Sequence, residues 1–226
     1  MTIGATGRWT MKRKILLACQ TIEKEVLSIN EEINFQGTIH FMPKNLHTDP
    51  KKLKAYLQDF IDSTYNVDEF LICTGSCGGG TENLKATNGR VIIPKAGDCL
   101  DLLLSSDKKS PRSMSSMFFT KSWVDYIKDS PLDFLKKVEE VGEDQAVQFV
   151  RKIYASIDAI NIIDTGTYDL EEVTSYLEPL VEATDLELNI LKGQCRLIKK
   201  LMTGPYDQDF IVIEKNEEGK WKEETF

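Results

Sequence analysis

Along the first hundred residues, apolar positions come as short unbroken runs, separated by stretches in which they recur every three or four residues. Lys14 to Cys19 is the first such run, and Ile22, Val26, Ile29 and Ile33 follow it at helical spacing. Thr38 to Met42 predicts a second strand, ended by Pro43. Asp49-Pro50 then opens a helix with a capping acid and a proline in the first turn, and Leu53, Tyr56, Leu57, Phe60 and Ile61 supply its buried face. Val67 to Thr74 is a third strand, running into Gly75-Ser76-Cys77-Gly78-Gly79-Gly80. Arg90 to Pro94 is a fourth, leading through Gly97-Asp98 into the apolar Cys99 to Leu104. Strands alternating with helices require crossover connections and a parallel sheet covered on both faces. The fold class expected is α/β, a Rossmann-like three-layer sandwich.

Asp107 to Ser116 is the most loop-like stretch, and Met117 to Trp123 after it is expected to return to the sheet. Leu132 to Ile157 is helical with a break at Gly142. A second α/β set follows: Ala159 to Thr165 (strand), Leu170 to Ala183 (helix), Leu186 to Leu191 (strand), Cys195 to Met202 (helix) and Phe210 to Ile213 (strand). The charged residues from Lys215 are expected to be loose. This divides the chain into a flexible extension over 1–13, an α/β lobe over 14–130, and a second helical and α/β part over 131–226 packed on the first. The two halves are candidates for lobes of similar construction.

Composition narrows the function classes. In 226 residues there are 28 Lys and Arg against 36 Asp and Glu, a net charge of −8 that repels nucleic acid and anionic membranes. No apolar run approaches the roughly 20 residues that span a bilayer. The polar start, Met1 to Arg13, has no apolar signal core, so a cytoplasmic protein is expected. Five cysteines, an odd number, argue against a disulfide framework and for thiols that are buried or used as ligands.

Ligands of parallel α/β sheets collect outside the carboxyl ends of the strands. Cys19, Cys77 and Cys99 each follow a predicted strand and sit at or beside a helix start, where the dipole favours thiolate. Three such sulfurs on one edge make a soft ligand set for zinc, an iron–sulfur cluster or a metal carried by a larger cofactor. The alternative is that they are small buried hydrophobes. Cys73 lies within its strand and reads as core, while Cys195, on the helix after Gly193, reads as a packed or partly exposed thiol. His47 is a candidate further ligand, with Glu25 and Asp98 as candidate orienting carboxylates, whereas His40 alternates within a strand and reads as structural. Gly75, Gly78, Gly79, Gly80 and Thr81 could cradle an anion or nucleotide, although neither a P-loop nor a GxGxxG order is present. In that reading Cys77 or Cys99 is a nucleophile.

The chain resembles the bacterial and archaeal family called domain of unknown function 1638, from about Lys14 to about Val212. The resemblance rests on Ala18-Cys19 with Glu25, Leu46-His47 with Pro50, Gly75-Ser76-Cys77-Gly78 with Gly80, Val91-Ile92-Ile93-Pro94 and Asp98-Cys99. It continues through Phe119-Thr120, Trp123, Asp164-Thr165-Gly166, Gly193 and Gly204-x-Tyr206-Asp207. The family pattern has cysteine at the positions of Cys19, Cys77 and Cys99, and not at Cys73 or Cys195. It usually has histidine where this chain has Gly97. Similar sequences are often found in anaerobes beside corrinoid-dependent methyltransferase systems. The resemblance therefore implies a metal- or corrinoid-handling protein of one-carbon metabolism, partnered with a corrinoid protein or methyltransferase, either as an enzyme or as a non-catalytic partner.

Overall fold

A computed structural model describes every residue except 1, 4–8, 11, 107–111, 114, 129, 216–220 and 226. The elements in order are β1 (Thr2–Ile3), β2 (Trp9–Thr10), β3 (Lys14–Cys19), α1 (Glu23–Ile33), β4 (Thr38–Met42), α2 (Pro50–Ser63), β5 (Glu69–Cys73), β6 (Arg90–Pro94) and α3 (Cys99–Leu104). Next come β7 (Ser116–Phe119), α4 (Lys121–Ile127), α5 (Phe134–Val141), α6 (Glu143–Ile153), β8 (Ala159–Asp164), α7 (Leu170–Thr184) and β9 (Glu187–Lys192). The chain closes with α8 (Arg196–Thr203), β10 (Phe210–Lys215) and β11 (Trp221–Thr225).

The chain forms two compact units, one comprising Met1–Leu102 with Arg196–Phe226 and the other Leu103–Cys195. In the first, a six-stranded sheet has the order β11-β10-β6-β5-β3-β4. Its strands β4, β3, β5 and β6 are parallel, as their near-continuous apolar runs require, and β10 and β11 add an antiparallel margin. Alternate residues Leu17, Phe70, Ile72, Val91 and Ile93 form one buried cluster with Leu53, Leu57 and Ile61 of α2. The opposite parity, Leu16, Ala18, Leu71, Cys73 and Ile92, is equally buried, and α1 and α8 lie against β3, β5 and β6 there. This is the expected α/β sandwich. Cys73 is fully buried and Cys195 nearly so, both as core residues.

The expected helix after Pro43 is capped by Asp49, whose Oδ1 accepts from the backbone N–H of Lys51 at 3.0 Å and of Lys52 at 3.1 Å. Two expectations are corrected. The segment after Ser115 does not return to the first sheet: β7 pairs with β8 in a three-stranded parallel sheet, β7-β8-β9, that belongs to the second unit. The place beside β6 is taken instead by β10, with Phe210 opposite Pro94 and Ile213 opposite Val91. The units therefore part at Leu102 and the chain rejoins the first at Arg196, whereas hydropathy placed the division near residue 130. Nor are the described residues beyond Lys215 loose, because Trp221–Thr225 pairs with β10. The N-terminal extension holds the paired strands β1 and β2, while residues 1, 4–8 and 11 of it, and 107–111 of the expected loop, lie outside the described residues. No helix among the described residues is long and apolar enough to cross a membrane.

Candidate thiol centre

Strand register begins the assembly of the site. Parallel pairing sets Ala18 opposite Cys73 and Cys19 opposite Met42, so Cys19 ends its strand beside the point where β5 gives way to Thr74 and the glycine loop. That loop is tied to the loop after β6. The N–H of Ser76 donates to the carbonyl of Ala96, and the N–H of Cys77 to that of Gly97, both at 2.8 Å. The approach is close enough to require glycine at residue 75, where a Cβ would stand 2.3 Å from the Cα of Asp98. Asp98 then starts α3, its Oδ1 accepting from the N–H of Leu100 at 3.0 Å and of Asp101 at 3.2 Å, which carries Cys99 back toward Cys77.

The three thiols converge. Cys99 is within side-chain hydrogen-bonding reach of both Cys19 and Cys77, while Cys19 acts on Cys77 through charge. Cys99 is thus coupled to both of the other thiols. The hydroxyl of Thr74 lies 3.6 Å from the Cys77 sulfur and 3.8 Å from that of Cys99, and the Thr21 hydroxyl donates to the Cys19 sulfur at 3.0 Å. Thr74 and Thr21 are buried and were not picked out by sequence reasoning. A threonine ending a strand before Gly-Ser-Cys, and one two residues beyond Cys19, were the available signals.

The thiols differ in acidity. A hydrogen bond from Cys99, with a further one from Thr74, lowers Cys77 to about 7 against the opposing cost of burial. Cys99 moves the other way. Its S–H is engaged by Cys19 and by Cys77, and burial adds to the effect, so it holds its proton well into the alkaline range. Cys77 also has a left-handed backbone, φ 46°, an uncommon conformation for a residue with a side chain and one that clusters at functional sites. It is partly accessible, whereas Cys19 is buried.

The other candidates divide. Asp98 caps α3 and its charge opposes ionisation of Cys77. Glu25 is fully buried on α1 and is not among the largest influences on either Cys77 or Cys99. The side chain of His47 lies outside the described residues. His40 is 2.7 Å from the Tyr56 hydroxyl, as a structural residue would be. In the glycine loop, Gly78 and Gly79 have φ 76° and 97°, and a Cβ at residue 80 would stand 2.6 Å from the Leu53 side chain. Thr81 is buried. Backbone conformation and packing account for these glycines.

Three sulfurs suit a soft ion by chemistry. Among the described residues, no group of three or more His, Cys, Asp or Glu side chains is already disposed to hold a metal.

Comparison with known proteins gives one match. The model of a family described as "Protein of unknown function (DUF1638)" matches residues 41–202, a stretch that holds Cys77 and Cys99 and begins after Cys19. No curated protein and no solved structure matches the chain.

Proposed function

The chain belongs to the DUF1638 family of proteins of unknown function, and from the sulfur geometry within that family fold we propose that it binds a soft metal ion or metallocofactor through Cys19, Cys77 and Cys99. The observation that supports this reading is the central position of Cys99, within reach of both other thiols, at the carboxyl edge of a parallel sheet. Cys77 would enter as thiolate more readily than Cys99, with Thr74 and Thr21 hydroxyls stabilising charge on sulfur. A bound ion would supply Lewis-acid, electron-transfer or one-carbon chemistry according to its identity. The setting implied by the resemblance is methyl-group or corrinoid metabolism, with a corrinoid protein or methyltransferase as partner, in the cytoplasm.

The test is the metal and cofactor content of protein made and kept without oxygen, read by elemental analysis and absorption. Stoichiometric zinc, iron or cobalt that is lost in Cys19→Ser, Cys77→Ser and Cys99→Ser variants is the expected result. A colourless, metal-free parent indistinguishable from these variants would end the reading.

A second reading has its own observation. Cys77, lowered to about 7, partly accessible and in a left-handed conformation, has the properties of a nucleophilic thiol. It predicts that in metal-free protein Cys77 alkylates much faster than the other four cysteines. Equal, slow labelling of all five counts against it.

A further inference from the structure

At the opposite, amino-terminal end of the same strands lies a second constellation that the thiol centre does not use. Glu69 begins β5 and is 2% exposed. Both of its oxygens are occupied. Oε1 accepts from Lys12 Nζ at 2.6 Å and from an Arg90 terminal nitrogen at 2.8 Å, while Oε2 stands 3.3 Å from Lys14 Nζ and accepts from the Tyr206 hydroxyl at 3.5 Å. Three cations therefore surround one buried carboxylate. The only other acid ion-paired to these cations among the described residues is Glu214, 3.5 Å from Arg90, so positive charge is left over in a chain whose net charge is −8.

The surplus faces open space. Lys12, Lys14, Glu69, Arg90, Tyr206 and Gln36 line a cavity of about 420 Å³, within the size range of small-molecule sites. Arg90 lines it, its two terminal nitrogens held by Glu69 and Glu214. Lys14 Nζ lies 5.9 Å and Arg90 Cζ 5.6 Å from the centroid of the Tyr206 ring, contacts that help to fix these two cations in place before any ligand binds.

We propose that this cavity binds the oxyanion group, phosphate or carboxylate, of a small molecule, with Lys12, Lys14 and Arg90 as its cationic contacts and Glu69 as the internal counter-charge that positions them. An oxyanion neutralises the excess charge of the three cations. Glu69 competes with it for the same three cations and limits its affinity.

The competition makes the proposal testable by calorimetric titration of the full chain at low salt, with inorganic phosphate in one arm and malonate in the other. At least one anion is expected to bind the parent. Glu69→Gln should tighten that binding at least tenfold, and Arg90→Gln should weaken it at least tenfold. Where Arg90→Gln fails to fold, Lys12→Gln, a change at a more exposed cation, serves the same purpose. The arm that responds identifies the class of oxyanion. Binding should be unchanged in the Cys19, Cys77, Cys99 triple serine variant, which separates this site from the thiol centre. Failure of both anions to bind either the parent or Glu69→Gln overturns the proposal, as does binding that ignores both Arg90→Gln and Lys12→Gln.

Discussion

The two ends of the central sheet solve opposite problems. At the amino end, a fully charged carboxylate is kept ionised in the interior by surrounding it with cations: burial pushes Glu69 up, and Lys12, Lys14 and Arg90 together outweigh that and leave it lowered. At the carboxyl end no cation is among the main influences on the thiols, and Cys77 is acidified by neutral neighbours, the Cys99 thiol and the Thr74 hydroxyl. Charge pairing is strong and geometrically tolerant, whereas stabilisation by neutral donors depends on a few tenths of an ångström. The first end should therefore govern the stability of the fold, and the second should respond to small movements of two loops.

The largest effect expected is at Glu69. Glu69→Ala removes the shared acceptor of three cations, and breaking a buried ion pair typically costs about 3–5 kcal/mol. The lower figure is expected, since the Lys12, Lys14 and Arg90 side chains are 24–33% exposed and regain water. Urea unfolding measures it. The pH dependence has a fixed sign. With its folded pKa lowered from 4.5, Glu69 stabilises the protein fully above that value and loses the contribution as pH falls through the lowered one. A parent whose stability is flat from pH 5 to pH 2, or a variant within 1 kcal/mol of it, would break the comparison.

These two ends were unequally legible in the sequence. The thiol centre could be anticipated because parallel strands are continuous apolar runs, their carboxyl ends are where such sheets bind, and a cysteine followed each of three runs. The order of strands and their register were not encoded in any one run. β11, written in Trp221-Lys222-Glu223-Glu224-Thr225, has too much charge to read as a strand and is specified by its pairing with β10. The second sheet was hidden for a related reason, since β7 has the composition of a strand that could join either sheet, and only tertiary pairing with β8 decides. The Glu69 cluster gave no local signal at all. Lys12, Lys14, Glu69 and Arg90 are each an ordinary charge at a strand start, and they matter because three strands begin side by side and Tyr206 arrives from the far end of the chain.

Gly75→Ala is expected to have an intermediate effect, and it acts on the carboxyl end alone. Its methyl group would meet backbone of Asp98, which no side-chain rotation relieves, so the two loops must part at a cost of about 2 kcal/mol. The consequence for chemistry is larger than for folding. Separation of Cys77 from Cys99 removes the first cause of Cys77's acidity, and its alkylation should shift to higher pH while the amino end keeps its pH dependence. Coupled loss at both ends would show that they are not independent.

The smallest effects sharpen the account of the thiols themselves. In metal-free parent protein, the alkylation rate of Cys77 should rise with a midpoint near pH 7. Cys99→Ala withdraws the leading stabiliser and returns Cys77 toward the ordinary thiol range of about 8.5. At pH 7 its thiolate population then falls by more than tenfold, and because a more basic thiolate is a better nucleophile, the observed rate falls by roughly three- to fourfold. Thr74→Val removes a weaker contact at 3.6 Å and should move the midpoint in the same direction by a smaller amount. The order is the diagnostic feature. If Thr74→Val shifted the profile more than Cys99→Ala, the hydroxyl would be the principal donor to Cys77, and the central role given to Cys99, on which the three-sulfur centre rests, would have to be abandoned.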